Sequence, residues 1–177
     1  MVQSEAAKRF MAAPLLAEID PNARRDLMNA LVEQRATAGS TLLEQGQPND
    51  HLSFLIGGAA TVERIFPDHR TELLATLSAP ALFGTTSFFQ PTPPTVTVRA
   101  TTDVWLLTLY HPAHEQLRIE NPRAAEALAI AVVRVLAERF DLLDQRVTDH
   151  IKQYSHDYPK VTEWSSFRSR LFEEPNV

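Results

Sequence analysis

The sequence has no cysteine, and its apolar runs are short. Without cysteine the chain forms no disulfide, builds no zinc ribbon and has no thiol nucleophile. Its longest unbroken apolar run covers residues 127–133, far below the ~20 residues that a membrane-spanning helix needs. Near the N-terminus, Pro14 and Glu18 interrupt the apolar run that a signal peptide requires. These absences predict a cytoplasmic protein without membrane contact.

Basic charge is scarce as well. Lys and Arg number 17 against 22 Asp and Glu, which gives a net charge of −5. A surface built to neutralise nucleic-acid phosphates carries the opposite excess. After Tyr154 the few basic residues are balanced by acidic ones, so a DNA-binding helix-turn-helix is not expected there. The sequence therefore predicts no nucleic-acid partner.

Glycine is rare, and all five glycines lie between Gly39 and Gly84. Residues 4–33, before this zone, are predicted to be helical, with Asp20-Pro21 as a helix start. Within and just after the zone, short apolar or alternating runs separated by turn residues predict antiparallel strands. From Pro112 onward the pattern is helical again. The predicted strands are 41–43, 52–56, 60–66, 72–77, 95–100 and 104–109.

A long C-terminal helix is the strongest single prediction, with Asn121 as its cap and Pro122 in its first turn. Two adjacent apolar stripes run along it. The first stripe comprises Ala129, Val133, Leu136, Phe140, Leu143 and Val147. The second comprises Leu128, Val132, Val135 and Leu142, and we expect these four residues to mediate homodimerisation by coiled-coil-like pairing. A broad face packed on the chain's own core is the alternative.

Residues 151–177 are predicted to be a tail, separate from a main domain formed by residues 1–150. Pro159 interrupts the helical pattern, and a short amphipathic segment follows. This segment either folds back on the domain or docks on a protein partner. Its apolar residues are Trp164, Phe167, Leu171 and Phe172.

Four stretches carry a resemblance to a known family. Residues 38–50 read AGSTLLEQGQPND, residues 52–58 read LSFLIGG, residues 81–84 read ALFG, and residues 97–109 read TVRATTDVWLLTL. Their order and spacing over residues 14–147 resemble the cyclic-nucleotide-binding domain. The resemblance implies an α+β fold. Its centre is an antiparallel β-roll of the double-stranded β-helix or jelly-roll type, flanked by N-terminal helices and a long C-terminal helix.

The same resemblance implies a phosphate-binding cassette at residues 83–98. In the family a short helix after Phe-Gly directs its backbone N–H groups at the cyclic phosphate, a glutamate holds the ribose and an arginine pairs with the phosphate. Here Thr85 stands at the glutamate position and Pro94 at the arginine position. Strand alternation places Arg99 on the opposite face from Pro94. The candidate ligand-binding residues are Phe83, Gly84, Thr85, Thr86, Ser87, Pro94 and Thr95.

Enzymatic functions find little support in the sequence. His111 and His114 flank a proline at a helix start, whereas the metal ligands of cupin enzymes lie on strands inside the barrel. His51 and His69 fall in predicted turns, and no Gly-x-Ser-x-Gly elbow occurs. A cupin-like metal enzyme is the least favoured alternative. No metal, no cofactor and no catalytic residue is expected.

The sequence thus favours a non-enzymatic regulatory or sensor module. Three hypotheses about the ligand stay open. In the first, the domain binds no nucleotide and acts through protein contacts. In the second, it binds another small ligand, an apolar one given Phe83, Phe88 and Phe89, and in the third it retains cyclic-nucleotide binding. The first is favoured because both charged ligand contacts are missing.

Overall fold

The computed structural model describes residues 4–154 and residue 166. Helices precede and follow a central set of strands. The helices are α1 (Glu5–Met11), a 3-10 turn (Pro14–Leu16), α2 (Pro21–Asn29), α3 (Thr85–Phe89), α4 (His111–Glu120) and α5 (Pro122–Tyr154). The strands are β1 (Val32–Ala36), β2 (Thr41–Leu43), β3 (His51–Gly57), β4 (Ala59–Ile65), β5 (Thr71–Ser78), β6 (Ala81–Phe83), β7 (Thr97–Ala100) and β8 (Val104–Tyr110).

The eight strands of the described residues form two antiparallel four-stranded sheets, in the orders β1-β8-β3-β6 and β2-β7-β4-β5. Both sheets bury one face against the other, which provides the apolar burial that stabilises such a fold. The predicted fold class is therefore confirmed. The core between the sheets contains Leu43, Leu55, Ala60, Phe83, Val98, Ala100, Val104 and Leu106.

The N-terminal region differs from its prediction. Asp20 caps α2 as expected, since its Oδ1 accepts from the N–H groups of Asn22 (2.9 Å) and Ala23 (3.2 Å). Helix α2 ends at Asn29, however, and Val32 begins strand β1, which pairs with β8 along its whole length. The apolar spacing of Leu27, Leu31 and Val32 suits a helix, but pairing with β8 overrides it. Strand β6, only three residues long, was likewise not predicted.

Helix α5 begins at Pro122 as predicted, after a separate helix α4 that ends beside Asn121. The backbone carbonyl of Asn121 accepts from the N–H groups of Ala124 (2.9 Å) and Ala125 (3.2 Å). In the part of the chain that is described, no helix has an apolar stretch long enough to cross a membrane. The predicted tail segment lies outside the described residues.

The chain divides into two units, Met1–Val133 and Arg134–Val177, and α5 runs from the first into the second. This division separates the four residues predicted for dimerisation. In the first unit, Leu128 and Val132 are buried within the single chain, 0% and 3% exposed. In the second, Val135 is half-buried and Leu142 is exposed. Leu128 and Val132 are thus core residues, and a pairing surface on α5 would need other side chains.

Gly58 lies between β3 and β4, and its substitution tests how closely this turn packs against residues 102–104. Its φ is +85°, and a Cβ there would collide with the backbone carbonyl of Asp103 and lie 2.8 Å from Thr102 Oγ1. We expect Gly58→Ala to lose about 1–2 kcal/mol through backbone strain and about 1–3 kcal/mol more through displacement of residues 102–104. Urea denaturation measures the free energy of unfolding.

Gly39→Ala is the matched control, because Gly39 also has a positive φ (+87°) but a Cβ there meets nothing within 4 Å. The free energy of unfolding that Gly39→Ala loses should correspond to the backbone strain alone. Equal losses at the two positions would contradict the predicted collision.

Candidate functional site

The cassette predicted from the sequence begins where β6 ends. Phe83 is buried in the core between the sheets, and Gly84 follows with a φ of +80° as the residue before α3. A Cβ at Gly84 would lie 2.8 Å from the carbonyl oxygen of His51. Both its left-handed conformation and this close approach therefore require glycine. Helix α3 starts at the predicted place.

Two of the three hydroxyl side chains of α3 are buried. Thr85 is 3% and Ser87 is 4% exposed, while Thr86 faces solvent. Ser87 Oγ accepts from Asn49 Nδ2 at 2.9 Å and donates to the carbonyl of Gly84 at 3.4 Å. Ser87 is therefore engaged in holding the cassette helix in place.

Asn49 connects the β2–β3 turn to the cassette. Its Nδ2 donates to the carbonyl of His51 (2.7 Å) as well as to Ser87, and its Oδ1 is buried with no hydrogen-bond partner among the described residues. The sequence marked this residue only as part of a turn. Its role depends on Ser87, which lies 38 residues away along the chain, and no local pattern signals that contact.

The other end of the cassette meets the same turn. Pro94 is buried, and its carbonyl accepts from the N–H of Gly46 at 2.8 Å. Thr95 is exposed, and Thr97 Oγ1 accepts from the N–H of Gln45 at 3.2 Å. The β2–β3 turn, residues 44–50, thus contacts both the cassette helix and the segment that leads into β7. It brings together the two halves of the predicted site.

Residues 83–98 contain no charged side chain. The cation that follows, Arg99, is on β7 between the core residues Val98 and Ala100, and it points away from the core. Its guanidinium lies 3.9 Å from Glu63 Oε2 and donates to the carbonyl of Gly39 at 3.1 Å. Arg99 therefore takes part in outer-face contacts of the second sheet and is not directed into the roll.

The aromatic side chains of α3 contact α4. Phe88 is buried and stacks on the His111 ring with a centroid distance of 4.4 Å, and Phe89 contacts the His114 ring at 5.6 Å. Both rings line a cleft of about 480 Å³ with residues of α4 and of the first turns of α5. Of the three phenylalanines that suggested an apolar ligand, Phe83 belongs to the roll core, whereas Phe88 and Phe89 contact the histidine rings of α4.

Histidines are the side chains that a cupin-like metal site, the least favoured alternative, would need. No group of three or more His, Cys, Asp or Glu side chains suited to a metal ion occurs in the described parts of the chain. His51 Nδ1 lies 3.2 Å from Asp50 Oδ1. Burial against the phenylalanine rings is the main cause of a pKa of His114 below its ordinary value.

The architecture and this cassette have clear relatives. The sequence pattern described as the cyclic nucleotide-binding domain matches residues 33–121, half of the chain. This chain belongs to the cyclic nucleotide-binding domain family. The cassette lies within the matched region, as do all eight strands apart from the first residue of β1.

Individual relatives of this cyclic nucleotide-binding domain include a CRP-like cAMP-activated global transcriptional regulator of Mycobacterium tuberculosis. It is 28% identical over 139 residues, which cover 78% of this chain and 60% of that protein. The N-terminal domain of a transcriptional regulator from Streptomyces coelicolor is 32% identical, with a TM-score of 0.64 over 76% of this chain and 94% of that one. A cyclic nucleotide-binding domain from Methylobacillus flagellatus shares the fold at 20% identity, with a TM-score of 0.74 and coverage of 82% and 84%.

Substitution of Asn49 and Ser87, singly and together, tests most directly how this cyclic nucleotide-binding domain holds its cassette. We expect Asn49→Ala and Ser87→Ala each to destabilise the fold, and the double variant to lose less than the sum. The coupling energy should be about 1 kcal/mol, the net contribution of one buried hydrogen bond. Urea denaturation of the four proteins measures it.

Gln47→Ala, in the exposed part of the same turn, is the control and should be nearly neutral. Strictly additive losses in the cycle would mean that Asn49 does not hold α3 through Ser87.

Proposed function

We propose that this chain is a non-enzymatic regulatory or sensor domain that binds cAMP and cGMP weakly or not at all and acts through protein contacts. The observation that carries the proposal is the cassette without charge. Thr85 and Pro94 stand where the resemblance places the glutamate for the ribose and the arginine for the phosphate. Both are buried, and the Pro94 carbonyl is bonded to Gly46.

The size of the effect follows from the two missing contacts. A hydrogen bond to a charged group contributes about 1.5–3 kcal/mol. The loss of both contacts therefore removes on the order of 3–6 kcal/mol, which weakens affinity by roughly two to four powers of ten. Arg99, engaged with Glu63 and Gly39, is a poor substitute for the missing cation.

The substitution pair Thr85→Glu/Pro94→Arg tests the proposal. Isothermal titration with cAMP and cGMP should give little or no binding by the wild type and a gain of at least about a hundredfold for the double variant. Because Thr85 is buried, the introduced carboxylate should lower the stability of the free domain. Bound nucleotide should then raise its melting temperature.

The matched control is Thr86→Glu/Thr92→Arg, which adds the same two charges at exposed positions of the same segment. It should gain no affinity. If Thr85→Glu/Pro94→Arg does not fold, Pro94→Arg alone supplies the phosphate contact. Micromolar binding of either nucleotide by the wild type would overturn the proposal.

We further propose that the domain acts as a homodimer through α5. Support comes from four exposed apolar side chains spaced alternately by three and four residues, as in a coiled coil. All four belong to the first of the two stripes predicted from the sequence, whereas Leu128 and Val132 of the second stripe are buried in the chain's own core. The exposed side chains are Val133 (63%), Leu136 (39%), Phe140 (52%) and Leu143 (58%).

Substitution along this stripe tests the dimer. Val133→Glu/Phe140→Glu should give a folded monomer by light scattering with circular dichroism, because the charges meet water in the monomer and each other in the dimer. Val132→Glu should instead unfold the domain, because it buries an unpaired carboxylate.

Gln145→Glu, at an exposed polar position of the same helix, is the control and should leave the dimer intact. A monomeric wild type at tens of micromolar, a concentration at which a specific interface is occupied, would contradict dimerisation through α5.

A further inference from the structure

A cluster of four rings joins the cassette helix to α4. Phe88 stacks on His111 at 4.4 Å with an interplanar angle of 29° and meets His114 edge-on at 5.2 Å. Phe89 contacts His114 at 5.6 Å and Phe88 at 5.1 Å. Two ionisable rings thus form the surface on which the two phenylalanines of α3 rest.

The cluster is tied to the rest of the site by the backbone. The N–H of His111 donates to the carbonyl of Asp50 at 3.0 Å, next to Asn49, which binds Ser87 of α3. The Phe88 N–H donates to the carbonyl of Gly84 at 3.0 Å. A change in how the rings pack therefore acts directly on the helix that carries the cassette.

The charges around His114 come from each element that packs nearby. Helix α4 contributes His111, Glu115 and Arg118, of which the last two form an ion pair at 3.0 Å. Helix α5 contributes Glu126, and α3 has no titratable side chain. Asp50 meets His111 through its backbone carbonyl, and its carboxylate lies 3.2 Å from His51 Nδ1.

Burial is the largest influence on the pKa of His114 and lowers it; Arg118 and His111 act in the same direction, and Glu115 opposes them. A histidine with a lowered pKa binds fewer protons in the packed state than in the open one. The packing of His114 against the phenylalanine rings is therefore fully favourable above the ordinary histidine pKa of about 6.5. It is weakened as the pH falls through the lowered pKa of His114.

We propose that His114 makes the contact between the cassette helix α3 and α4 sensitive to pH, so that mild acidification loosens α3. Protonation would place a positive charge on a half-buried ring that contacts Phe88 and Phe89 edge-on, where the imidazolium loses part of its hydration. This device operates without any bound ligand, and its test needs no nucleotide.

Histidine and amide resonances of the full chain, followed by NMR between about pH 5 and pH 8, test the proposal. The His114 ring should titrate below the ordinary histidine pKa of about 6.5. Amide resonances of residues 85–89 should shift with the midpoint of His114, and the hydrogen-exchange protection of the Phe88 amide should fall over the same range.

His114→Gln should abolish this titration of the α3 amides. His69→Asn should leave it unchanged, because asparagine accepts the positive φ of the β4–β5 turn (64°). The proposal would be overturned if the α3 amide resonances do not shift with the midpoint of His114, or if they shift equally in His114→Gln. If His114→Gln does not fold, the wild-type titrations of the His114 ring and of the α3 amide resonances decide the question alone.

Discussion

The carbonyl of His51 lies against Gly84, and this contact determines how the cassette is held. It leaves no room for a side chain at Gly84, so β6 can turn into α3 beside β3. Asn49 reinforces the arrangement by donating to both His51 and Ser87. The β2–β3 turn thereby becomes a support for the cassette, which it also meets at Pro94 through Gly46.

This support does not depend on the charges that a cyclic nucleotide requires. The backbone and hydroxyl contacts that shape the cassette are present, while residues 83–98 carry no charge at all. Under the proposed function, the cassette keeps its shape without its ligand chemistry. Phe88 and Phe89 contact the histidine rings of α4 and so connect the cassette to that helix.

Helix α5 serves two purposes along its length. Its first turns contribute Leu128 and Val132 to the core of the first unit, and apolar side chains farther along are exposed. A helix that is apolar on more than one face needs more than one partner to bury it. The first unit buries one face, and in the proposed dimer a second copy of the chain covers the other.

Local signals were sufficient for much of the fold and for the chemistry of the cassette. Asp20-Pro21 and Pro122 start their helices, because capping and backbone preferences act within a few residues. Helix α3 after Gly84 was expected from the family resemblance alone. The absence of charged side chains from residues 83–98 is likewise visible in the sequence alone. Strand β1 was missed because it forms through its pairing with β8, about 70 residues away along the chain.

The tertiary structure alone decided that Leu128 and Val132 of α5 are buried, that Phe88 and Phe89 pack on α4, and that Asn49 binds Ser87. Each of these depends on contacts between segments far apart in the chain. Periodicity gives the spacing of side chains on a helix, but the direction in which that helix faces is set by its neighbours.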